Sequence, residues 1–136
     1  MNLPPFNKSF EVWAPVVARV VFGLQFILGA SFKFPGTQGF QMESAMTAAT
    51  GWPLATLSVF LAFILEVVAG LCLVLGWHTR VAAFILSLFT LLLAFVFYRH
   101  ISDPMVMGMF VSHLAFIAGL LYVSVFGAKS FALRKD

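Results

Sequence analysis

The 136 residues are 62% apolar and 10% charged, against roughly half apolar and a quarter charged in soluble domains, and the mean hydropathy is +1.03. This balance excludes a soluble globular enzyme, and the 17 Phe and 3 Trp exclude a disordered chain, which has little to bury. The net charge of +3 comes from basic residues scattered between apolar runs rather than gathered in a stripe, so nucleic acid is not an expected partner, and the lone Cys72 permits neither an intrachain disulfide nor a thiolate metal site built from this chain alone.

The first charge-poor run of bilayer length extends from Val12 to Phe32, interrupted by Arg19 and Gln25 and ended by Pro35-Gly36. A signal peptide is the competing reading, set aside because the run is long for an h-region and carries an arginine. The connection 33–53 follows, and its Gln41 to Ala49 part is expected to form a short interfacial helix. The second run, Leu54 to Leu75, starts after Trp52-Pro53, closes at the natural cap Gly76, and carries one charge, Glu66. The third, Val81 to Tyr98, is uncharged and follows so few residues that it must form an antiparallel hairpin with the second. The fourth, Met105 to Phe126, follows Asp103-Pro104 and holds His113 near its middle.

The expected fold is all-α: a single polytopic membrane domain, an antiparallel bundle of four transmembrane helices in contact with lipid. Lys8, Arg80, Lys129, Arg134 and Lys135 then share one side, against Lys33 and Arg99 on the other, which places both termini in the cytoplasm. Trp13, Trp52 and Trp77 fall at run ends, as interfacial anchors do.

A charge at the centre of a span costs about 2.5 to 3.5 kcal/mol on the insertion scale. Counted from the centre of each run at 1.5 Å per residue, Arg19 lies roughly 5 Å and Glu66 about 2 Å to the cytoplasmic side of the midplane. The expectation is that they meet each other or water. Helical spacing puts Arg19, Gly23, Phe26, Ala30 and Lys33 on one face and Ala62, Glu66, Ala69 and Gly70 on another, with small residues that favour close packing. The pair is read either as a structural bridge fixing register or as a polar centre in which Glu66 carries a proton or anchors a small ligand. Gln25 and His113 fall roughly 4 Å to the outer side, a depth that permits a meeting. His113 alone reads first as an interhelical hydrogen bonder, His78 as part of a polar turn, and Arg99 and His100 as solvated interface. Met105, Met107 and Met109 alternate and so cannot share one helix face; no metal site is expected. The phenylalanines suit lipid, core, or a slot for a flat ring such as a quinone.

The segments Arg19-Val-Val-Phe-Gly23, Gly29-Ala-Ser-Phe-Lys33, Glu66-Val-Val-Ala-Gly70 and Leu75-Gly76-Trp-His-Thr79-Arg80 together resemble the DoxX family of small bacterial membrane proteins, over nearly the whole chain. The matching positions are Arg19, Lys33, Glu66, Gly70, Gly76 and Arg80. The last run departs from the family pattern, with Ser112-His113 near a place where an asparagine is frequent. The resemblance implies a subunit of the bacterial cytoplasmic membrane serving redox metabolism, at most a membrane subunit of a quinone-dependent oxidoreductase. Quinone is then its one implied cofactor, a soluble or membrane redox protein its partner, and self-association a further expectation. No catalytic residue is assigned. A noncatalytic scaffold or assembly factor and a small oligomeric transporter are the alternative readings.

Overall fold

The computed structural model describes residues 8–98 and 101–133. Arg99, His100, Arg134 and Lys135, which bear on the charge and interface expectations, lie outside the described residues. The described chain forms five helices: α1 (Lys8–Phe32), α2 (Gln38–Ala49), α3 (Ala55–Leu75), α4 (Thr79–Phe97) and α5 (Pro104–Phe126). All but α2 are long and apolar enough to cross a membrane, so the chain is an all-α, polytopic membrane protein.

Local chemistry sets the helix ends. Gly76 adopts φ 68°, a left-handed conformation, and its N–H returns to the carbonyls of Cys72 and Leu73 to close α3. Asp103 caps α5 by accepting the Met105 N–H at 2.8 Å. Leu54, at φ 51°, precedes α3, so Pro53 lies outside the helix rather than in its first turn. α1 begins earlier than hydropathy predicts, and Pro15 lies within it. The short helix expected in the long connection is present as α2. Thr37 caps it, accepting the Phe40 N–H at 3.3 Å, and the helix packs against α3 with Ser44 and Thr47 buried.

α1 pairs most extensively with α3, and α4 with α5. The pairs close on each other through Phe22, which stands edge-on to Phe116 and fills the space beside Gly119. Ala69, Leu73, Ala82, Ala83, Leu86, Leu120 and Val123 form the buried core. It gathers toward the end of α3, the start of α4 and the end of α5. There the spans are tied together; at the opposite end a groove opens between them, partly filled by α2. The spans expose many large apolar side chains, as lipid-facing helices do.

The register of α1 against α3 is set by two glycines. A Cβ on Gly23 would lie 2.6 Å from the Gly70 carbonyl oxygen, and one on Gly70 would lie 2.9 Å from the Gly23 oxygen. The backbones touch here, the arrangement that packs membrane helices where water supplies no driving force. Gly23→Ala is expected to cost about 1–3 kcal/mol by forcing the pair apart. Gly29→Ala, whose added Cβ meets open space, is the control, and reversible unfolding in detergent compares the two. Equal stability in both variants would mean that the glycine contact does not hold the pair.

Candidate functional site

With Gly23 against Gly70, Arg19 faces the last turn of α3, whereas Glu66 faces the far end of α1. The two residues expected to meet therefore do not. Centring each helix at the same depth misplaced them; contact between the glycine backbones slides α1 along α3 and gives each charge a different partner.

Arg19 is 1% exposed. Its Nη1 donates to the carbonyls of Leu73 at 3.0 Å and Val74 at 3.2 Å, and its Nη2 to those of Ser130, at 3.2 Å, and Phe131. The first two belong to the negative end of the α3 dipole, where a cation is stabilising. The other two belong to the segment after α5, which folds back under the α1/α3 pair. Leu133 N–H bonds the Leu75 carbonyl at 3.0 Å, Phe131 stacks on Trp13, and Ala128 is fully buried. Gly76 also belongs to this knot, since a Cβ there would strike Arg19 and Ala132. Arg19 is thus a structural clamp rather than part of a polar centre. The sequence holds little sign of the folded-back segment beyond its two bulky apolar residues, Phe131 and Leu133.

Glu66 is 4% exposed and Lys33 6%. Lys33 Nζ lies 3.0 Å from Glu66 Oε1 and 2.9 Å from Glu43 Oε1. The ammonium is held between one carboxylate from α3 and one from α2. Burial pushes the Lys33 ammonium down, but the charges and hydrogen bonds of Glu66 and Glu43 outweigh it, so its pKa sits above the ordinary lysine value. The group therefore stays cationic across the physiological range. Glu66 Oε2 is buried with no hydrogen-bond partner among the described residues. Glu43 escaped the sequence reading; the available signal was that it is the one acid between Lys33 and Pro53.

Lys33 and Glu43 line a groove of about 700 Å³ with Phe32, Met42, Met46 and Phe97 as apolar wall and Tyr98 and His113 also facing it. The rings of Tyr98 and His113 are 4.8 Å apart. His113 Nδ1 lies 2.8 Å from the Met109 carbonyl; a carbonyl only accepts, so this nitrogen donates and Nε2 of the neutral ring is left as an acceptor. A second, narrower cleft of about 240 Å³ runs between α3 and α4 and shares Glu43 and Phe97 with the groove. Gln25 is not in either. It lies exposed on α1, and the structure does not bring it to His113. Arg80 is exposed in the first turn of α4, away from the groove. No group of three or more His, Cys, Asp or Glu suited to a metal ion occurs among the described residues.

The DoxX sequence pattern matches residues 14–99. The chain belongs to the DoxX family. Inner membrane protein YqjF of Escherichia coli K12 is 28% identical over 94% of this chain and 95% of its own length. Inner membrane protein YphA of the same organism is 34% identical over 56% of this chain and 52% of its own length. No solved structure matches. In this DoxX chain five of the six positions that carried the resemblance belong to two sites and the contact between them: Arg19 and Gly76 in the clamp, Lys33 and Glu66 in the charged cluster, and Gly70 in the register contact; the sixth, Arg80, lies in neither site.

Proposed function

We propose that this DoxX protein is a multi-pass subunit of the bacterial inner membrane, with cytoplasmic termini, that binds a quinone headgroup in the groove beside Lys33 and serves a redox partner protein. The single observation behind this reading is a buried ammonium between two carboxylates at the edge of an apolar groove that also contains an imidazole and a phenol. The residues suit the ligand. Lys33 offers an N–H to a carbonyl oxygen, His113 Nε2 accepts from a hydroxyl, and Phe32, Met42, Met46 and Phe97 cover a flat ring. A bound quinone supplies two-electron, two-proton redox capacity, which the chain's own side chains do not. Glu43 and Glu66 fix the Lys33 charge, and α2 with its apolar residues keeps water from that side of the groove.

The test is to purify the protein in nanodiscs, extract and quantify the copurifying quinone, and titrate the stripped protein with added quinone. Stoichiometric quinone is expected, with binding by His113→Leu about tenfold weaker, the loss of one hydrogen bond to a ligand, and no change in unfolding. Protein that neither retains nor rebinds quinone, together with unaltered quinone-linked respiration in a deletion strain, would overturn the reading.

A further inference from the structure

Gln25 carries an amide into the middle of a span. Because Gly23 lies against Gly70, Gln25 is level with about residue 68 of α3, roughly three residues or 4.5 Å from the midpoint of that helix and far inside a hydrocarbon layer about 30 Å thick. At 100° per residue it sits almost diametrically opposite Gly23, so it points away from α3. It is exposed and has no hydrogen bond among the described residues. Other exposed hydroxyls in the spans solve the same problem locally: Ser112 donates to the Gly108 carbonyl at 2.9 Å and Ser124 to that of Leu121 at 2.7 Å. An amide with no partner in lipid carries an uncompensated desolvation cost.

We propose that the face of α1 bearing Gln25 is the contact surface for a second copy of this chain. A carboxamide both donates and accepts, so two Gln25 side chains related by a two-fold axis satisfy each other with a pair of hydrogen bonds, as an isologous interface requires. One turn further on, Gly29 has no heavy atom within 4 Å of where a Cβ would stand. That notch lets two α1 backbones approach closely at the level of the amides. Val21, at 54% exposure, and Leu28, at 62%, lie beside Gln25 at helical spacings of four and three residues. Arg19, Lys33 and Glu66 are already buried within the single chain, so the association leaves the clamp and the charged cluster intact.

Single-molecule photobleaching of labelled protein in phosphatidylethanolamine/phosphatidylglycerol vesicles, over a range of protein-to-lipid ratios, counts the copies. The wild type is expected to bleach in two steps, and Gln25→Leu to need about tenfold or more higher protein density to do so, the loss of a pair of interhelical hydrogen bonds. Gly29→Leu is expected to weaken association similarly, because its side chain meets open space in the single chain and the partner helix in the pair. Unfolding in detergent confirms that each variant is folded; should one misfold, the other carries the test. Wild type that is single at every density, or variants that associate as the wild type does, would refute the proposal.

Discussion

Replacing Arg19 by leucine is expected to lower the stability of the helix bundle by about 3 kcal/mol or more, since hydrogen bonds from a charged group are worth about 1.5–3 kcal/mol each and Arg19 donates to four carbonyls. The effect on insertion and the effect on association oppose each other in a way that can be separated. Leucine favours entry of α1 into the bilayer by removing a charge. Assembly of the inserted helices, however, loses the step in which an expensive guanidinium finds its acceptors, so the bundle is weakened relative to separated helices. The folded-back segment provides a local readout. Ala128 is 0% exposed, and in a Cys72→Ser background Ala128→Cys should resist thiol reagents until Arg19→Leu exposes it. Arg19→Lys should fall between, because a compact ammonium does not fork to both α3 and the tail. Equal labelling with and without the Arg19→Leu change would show that the tail is held by other contacts.

Lys33→Met is the second large effect. It leaves Glu66, 4% exposed, facing Glu43 with no cation between them, and stranding a charge by removal of its buried partner costs about 3–5 kcal/mol. Glu43→Gln should cost far less, since its side chain is 32% exposed and solvent screens it. The diagnostic variant is the double change Lys33→Met with Glu66→Leu, which removes the cation and the buried carboxylate together. It should recover much of the loss, because an apolar replacement of a buried pair is often close to neutral. Urea or thermal unfolding of the four proteins in one detergent decides the matter; a double variant as unstable as Lys33→Met alone would show that the pair is not the source of the cost. The sign of the part of any pH effect that Lys33 itself contributes follows from its raised pKa. That part is fully present below the unfolded lysine value near 10.4 and is lost as pH rises through the higher folded one, so Lys33 stays protonated throughout the interval from pH 5 to 9.

The spans, their antiparallel order and the short helix in the long connection were legible because each rests on local rules: run length, a glycine cap, a proline at a helix start. The partners of the buried charges were not. Hydropathy gives an approximate depth, but Arg19 and Glu66 end about two turns apart along α3 because the Gly23 and Gly70 backbones fix a register that run centres do not reveal. Gly23 and Gly70 themselves were visible as small residues on the right faces; which small pair governs the register was not. Lys33 was visible as a family position and a loop charge, yet its side chain turns back into the bundle. Glu43 needed knowledge of the inward face of α2, whose composition is too evenly mixed to announce one.

The Arg19 clamp also imposes an order on biosynthesis. Two of its acceptors lie 111 and 112 residues downstream, and chains emerge from the ribosome N-terminus first. Helix α1 must therefore wait in the membrane with an incompletely satisfied arginine until Ser130 and Phe131 have been added. The final acceptors arrive only after α5 has been made, so the same contact that seals the bundle distinguishes a chain that extends past α5 from one cut short before it.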